Sequence, residues 1–420
     1  MLDQDLHVRT RSSVDMPALV QGLLDEYRSL WWSLPTHLPD LGPRRDVRQQ
    51  AGFEKQLDRL LDGLVYQVKH APSGANPRLR EELYAQGTAF AIAALGLEER
   101  HIQAVRKYRL VDVSALFARL ARSFDPAISD ADIYQASRNV MTMNFIQLLL
   151  GLPVEMTPAI FAYSMLYPYT DNYLDDPRIE DGTKQAFNQH FYQRLNGEMV
   201  APANAMEKII YDLIEMIEWQ YDRRTYPQVY DSLLAIYTAQ ARSLALCHPG
   251  AAPYELDVLG ISFEKGGTSV LADGYLVAGD LTPEQARLTF GYGAFTQLMD
   301  DLEDTQPDRD RGWQTVFSQT AGRWPLDALT SRCMHFGDVM VDQMRAFDAP
   351  GVCDLYELFQ RCLNPLLSYS AGQLRPYYTP AYLQTLESSL PLRFRCMDRQ
   401  RKKLSRQHLG LTRLVELLGD

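Results

Sequence analysis

The chain has 420 residues, 46% hydrophobic and 23% charged, which is enough apolar material for a large core and excludes a disordered or fibrous chain. Its formal net charge of −11 argues against nucleic acid as a partner, because phosphate backbones need an excess of Lys and Arg. The five cysteines, Cys247, Cys333, Cys353, Cys362 and Cys396, form no C-x-x-C pair and read as reduced thiols of a cytoplasmic protein.

In chain order, the N-terminal MLDQDLHVRTRSSVD lacks the apolar run of a secretory signal. Residues 1–100 show no chemistry and are assigned to a helical extension, with 101–420 as a catalytic α-helical domain. Apolar residues recur at three- and four-residue steps over 53–68, 203–221 and 325–347, predicting helices. Pro and Gly mark turns near 37–43, 71–77, 151–158 and 248–253. No alternating strand pattern occurs, so the predicted fold is all-α. The most apolar stretch, 145–154, contains Gln147, Gly151 and Pro153 and is too short to span a bilayer.

The first chemical signal lies in FAYSMLYPYTDNYLDDPR, residues 161–178. Asp171 and Asp175 share a helix face and Asp176 adjoins them. Pro177 predicts a stop at Asp176, so three carboxylates gather where the helix end is already negative. A hard divalent cation relieves that repulsion. Pro168 is expected to kink this helix or start a new one. Tyr167 lies one turn before Asp171 and Tyr163 another turn back, as candidate walls of a substrate cavity or as core packing. Arg178 follows as a candidate anion contact.

Next comes FEKGGTSVLADGYLVAG, residues 263–279. Lys265 precedes Gly266 and Gly267, which are expected to weaken the helix and free backbone amides beside the lysine, a setting suited to phosphate. The second acidic cluster follows in FGYGAFTQLMDDLEDTQPDRD, residues 290–310. Asp300, Asp301 and Asp304 form D-D-x-x-D, Asp308 extends the spacing, and Pro307 is expected to end the helix. Two helices of the same design, about 130 residues apart, point to facing helices that share one metal cluster.

From Lys265 to Asp304 the chain resembles the isoprenyl diphosphate synthases, in which a lysine, a Gly/Ala-rich helix and F-x-Q-x-x-D-D-x-x-D follow in order. Here these are Lys265, Gly279, Phe295, Gln297, Asp300, Asp301 and Asp304. With the first cluster as a D-x-x-x-D variant, residues 130–310 resemble the class I isoprenoid synthase superfamily, class IB and large terpene synthases included. The resemblance implies a helical bundle around a central apolar cavity, three Mg²⁺ ions and a prenyl diphosphate substrate. It implies metal ligation by Asp171, Asp175, Asp176, Asp300, Asp301 and Asp304. It implies substrate contacts from Lys265, Arg178, Tyr163, Tyr167, Phe295 and Gln297, and often a homodimer.

The chain lacks the G-K-R-x-R-P-like segment and the paired arginines that hold a second substrate in elongating enzymes. The expectation is therefore a terpene synthase, a lyase releasing diphosphate from one substrate, with a prenyltransferase as the alternative. A helical scaffold with acidic surface patches is the non-enzymatic alternative. Residues 393–406, RFRCMDRQRKKLSR, read as a solvated basic helix balancing an acidic body, or as a lid over diphosphate or a peripheral contact with anionic lipid.

Overall fold

The computed structural model describes residues 14–70, 77–176, 178–247, 255–347, 349 and 352–406. Among them every regular element is helical and no strand occurs. The first helices are α1 (Met16–Ser33), α2 (Val47–His70), α3 (Pro77–Leu95), α4 (Glu99–Lys107), α5 (Leu110–Phe124) and α6 (Asp130–Leu149). Then come α7 (Pro158–Asp175), α8 (Asp181–Leu195), α9 (Ala205–Gln220), α10 (Pro227–Ser243), α11 (Val258–Ala278) and α12 (Pro283–Glu303). The last are α13 (Thr305–Arg311), α14 (Val316–Thr320), α15 (Asp327–Gln343), α16 (Val352–Gln373), α17 (Pro380–Ser389) and α18 (Phe394–Arg406). Among the described residues no helix is long and apolar enough to cross a membrane. Residues 1–13, Pro177 and most of the turns near 71–77 and 248–253 lie outside the described residues.

The helix starts follow local chemistry. Thr157 caps α7 by accepting from the amide of Ile160, with Pro158 in the first turn. Thr282 and Gln285 close a capping box on α12. Helix α11 is the axle of the bundle. It is buried almost all round, as its near-continuous apolar sequence requires, and packs on α1, α6, α7, α10 and α12.

Helix α1, in the segment assigned to an extension, packs on the bundle: Tyr27 and Trp31 are buried against Phe263, Phe290 and Phe336. The Tyr27 hydroxyl donates to the Arg287 carbonyl at 2.7 Å and meets Gln343 at 2.9 Å. An apolar stripe on one helix carries no mark of which distant helix will cover it. No new helix starts at Pro168: α7 runs on through it. Its neighbours Met165, Leu166 and Tyr169 are buried, and tertiary packing there outweighs a proline cost of about 3 kcal/mol.

The basic C-terminal helix lies along α2 and keeps Arg395, Arg401 and Lys402 exposed, as a solvated basic helix against an acidic body does. Cations of α18, and Arg393 just before it, pair with an acidic stripe at four-residue steps on α2. Arg393 binds Glu54, Arg399 lies 3.1 Å from Asp58, and Lys403 binds Asp62. Residues 407–420 lie outside the described residues.

Candidate active site

The antiparallel hairpin of α11 and α12 sets the site. A Cβ built on Gly266 would lie 2.4 Å from the Gly293 carbonyl oxygen, and one on Gly293 would lie 2.1 Å from that of Gly266. The two backbones therefore touch, which only glycine permits. This corrects the expectation of a weakened helix: α11 is continuous, its amides are spent inside the helix, and the glycines serve close packing. Lys265 stands in mid-helix, half-buried, beside the C-terminal end of α12.

That end carries the second cluster. Asp301 is buried, accepts from Gln297 Nε2 at 2.8 Å, and has no partner for Oδ2. Burial pushes its carboxyl up to about 6, against the pull of Gln297, Ser262 and Lys265. Helix α12 stops at Glu303, and Asp304 is the hinge into α13. Pro307 does not end α12, as expected, but sits in the first turn of α13, where a missing N–H costs nothing. The new helix turns Asp308 back into the cluster. Burial first, then the charges of Asp301 and Asp304, push its carboxyl up to about 7. Burial and Asp300 likewise raise Asp304. Asp300 is held at 2.7 Å by Arg138, which reaches over from α6.

The first cluster approaches from α7. Asn139 on α6 donates to Ser164 of α7 at 3.2 Å and to Asp273 of α11 at 3.1 Å. Three residues on, the Tyr167 hydroxyl bonds Ser269 of α11. Ser164 is thus level with Asp273 and Tyr167 with Ser269, so α7 runs antiparallel to α11. One more turn brings Asp171 level with Lys265. The charge of Asp171 acts on the Tyr167 hydroxyl, which burial above all raises well beyond its ordinary value.

Asp175 is the last residue of α7, and its side chain lies outside what the structure describes. Asp176 pairs with Arg178. Arg178, itself exposed, grips it at 2.7 Å, and that grip with the Arg178 amide holds its carboxyl down at about 2.

The remaining predicted contacts divide. Tyr163 and Tyr167 meet edge to face at 5.5 Å, inside the bundle. Tyr167 and Tyr292 keep part of their surface accessible although they lie among α6, α7, α11 and α12. Ser269, Gln297 and Asn139 also keep partial access there. Phe295 departs from expectation: it is 2% exposed and turned towards α15, packed near Phe336 and Gly337. Sequence reasoning missed Arg138, which no local pattern flags, and Asp273. The signal for Asp273 was one acid alone inside VLADGYLVAG.

The donors suit a hard cation: oxygen atoms only, like charges crowded enough to raise Asp304 and Asp308, and an unpartnered oxygen on Asp301. They are not gathered round one point. Among the described residues, the group of three potential ligands within 4.8 Å of one another is Glu98, His101 and Glu357. Arg100 and Arg361 already lie on those carboxylates, which makes that group an ionic knot between α4 and α16. Comparison with family models, with curated proteins and with solved structures gives no match.

Proposed function

We propose that this chain is a magnesium-dependent class I terpene synthase, which ionises a linear prenyl diphosphate and turns the cation into a terpene hydrocarbon or alcohol. The observation that carries the reading is the Tyr167–Ser269 bond between α7 and α11, from which one more helical turn brings Asp171 level with Lys265, whose charge acts on Asp301 and Asp308 of the second cluster.

Asp171, Asp175 and Asp176 on one side, and Asp300, Asp304, Asp301 and Asp308 on the other, would hold the Mg²⁺ ions. Bound there, the ions supply Lewis acidity to the leaving diphosphate. Lys265 adds a fixed positive charge to the mouth and binds the same anion. Arg138 occupies Asp300 and gives way or joins the anion when substrate arrives. Tyr163, Tyr167 and Tyr292 would line the prenyl pocket, exclude water from it, and offer ring faces to positive charge.

The test is incubation of purified protein and Mg²⁺ with farnesyl, geranylgeranyl and longer diphosphates, with and without isopentenyl diphosphate, read by diphosphate release and mass spectrometry. A hydrocarbon or alcohol from one substrate supports the reading. Elongated diphosphates would replace it with a prenyltransferase. Release unaltered in Asp171→Ala and Asp300→Ala would remove the site.

A further inference from the structure

Deep in the bundle stands a carboxyl group that ionisation does not use. Asp273 on α11 is fully buried and receives one hydrogen bond, from Asn139 to Oδ1 at 3.1 Å. Its Oδ2 has no partner. The Tyr163 hydroxyl, also buried, has none either. It lies beside Tyr167 and Ser269, close enough for a charge on Asp273 to act on it. Tyr292 feels the same charge from α12. Unpaired buried polar atoms are rare, and two of them on the packed helices α7 and α11 make a cradle for a small hydrogen-bonding molecule. The cradle has both kinds of site. Burial raises the Asp273 carboxyl well above the usual range and so favours its protonated form, which offers a donor and acceptors. Asn139 is spent on Asp273 and Ser164 and orients the acid.

We propose that Asp273, oriented by Asn139 and assisted by Tyr163, holds one water molecule between α7 and α11, and that this water captures the substrate cation, making the product an alcohol. The second half rests on the terpene synthase reading. In the capture step a lone pair of the water oxygen forms the new C–O bond. One O–H bond of that water breaks, and its proton passes to a carboxyl oxygen of Asp273. Asp273 gives up the proton it carried, and the departed diphosphate takes it up. The sum is prenyl diphosphate plus water giving alcohol plus hydrogen diphosphate, with no oxidant or reductant.

Two measurements test this. In ¹⁸O-water, wild-type protein with farnesyl or geranylgeranyl diphosphate is expected to release an alcohol carrying solvent oxygen. In Asp273→Asn and Asp273→Leu the ratio of alcohol to hydrocarbon is expected to fall at least tenfold, whatever the total rate, with a smaller fall in Tyr163→Phe. A wild-type product without oxygen, or an unchanged ratio in Asp273→Leu, overturns the capture. If no prenyl diphosphate is turned over, the terpene synthase reading fails and the capture with it. The water site is judged separately by a high-resolution crystal structure of the metal-free protein. Ordered density bonded to Asp273 Oδ2 and Tyr163 Oη supports it, and a dry cradle overturns it.

Discussion

Gly266 offers a sharp test of how the site is built. Replacing it by alanine in an ordinary exposed helix position would stabilise the chain by about 1 kcal/mol, the difference in helix propensity. Here the new Cβ would lie 2.4 Å from the Gly293 carbonyl oxygen and 2.5 Å from Gln297 Cβ. Ordinary contact begins at 3.4 Å, so α11 and α12 must part by about 1 Å (3.4 minus 2.4). The nearest atom is backbone and cannot swing aside. Overpacking of this kind costs about 1–3 kcal/mol, and the backbone contact places it near the upper end. The net expectation is a loss of roughly 2 kcal/mol. Gly22 on α1 has nothing within 4 Å of its added Cβ, so Gly22→Ala should gain ~0.5–1 kcal/mol. Urea unfolding followed by circular dichroism, compared at equal slopes, reads both changes. If Gly266→Ala is as stable as wild type, the close approach of α11 and α12 is wrong, and with it the placing of Lys265 beside Asp301.

Tyr27→Phe removes the hydroxyl that bonds the Arg287 carbonyl and Gln343; a stability loss of about 1–2 kcal/mol is expected in the same assay, with no change in secondary structure. Glu54 has its carboxyl held below the usual 4.5, first by the Arg393 side chain. A depressed folded value means the stabilisation is fully present above 4.5 and is lost as pH falls through the lower, folded value. The advantage of wild type over Glu54→Gln should therefore be constant from pH 7 to 5 and shrink below pH 4.5; an advantage that grows on acidification would refute the pairing. Chelation of divalent ions, or Asp300→Ala, should cut diphosphate release roughly 100-fold or more, measured with a coupled phosphate assay after pyrophosphatase.

Fold class was legible because three- and four-residue periodicity and capping signals are local: Thr157 and Pro158, or Thr282 and Gln285, announce their helices without help. What was illegible is set by partners far along the chain. Pro168 reads as a kink or a new start but lies inside one continuous helix packed by its neighbours. Gly266 reads as a weak point and is a contact point, because Gly293 and Gln297 supply the reason. Asp300 and Asp304 were found by spacing, whereas the reach of Arg138 across from α6 has no spacing to find. Phe295 belongs to the same motif as Gln297 and Asp301 yet faces α15, since the two-residue step from Phe295 to Gln297 turns about 200° round a helix.

The position of α1 has a consequence for synthesis. Its apolar face is made early, but the groups that receive Tyr27 lie 260 and 316 residues later in the sequence. At about 5–20 residues per second, Tyr27 and Trp31 wait on the order of 10–60 s for their cover. During that interval they stay exposed on an emerging chain, and a holding chaperone or the surface of the ribosome must shelter them. The acidic stripe of α2 waits longer still for α18 but tolerates water, so delay endangers the first helix and spares the second.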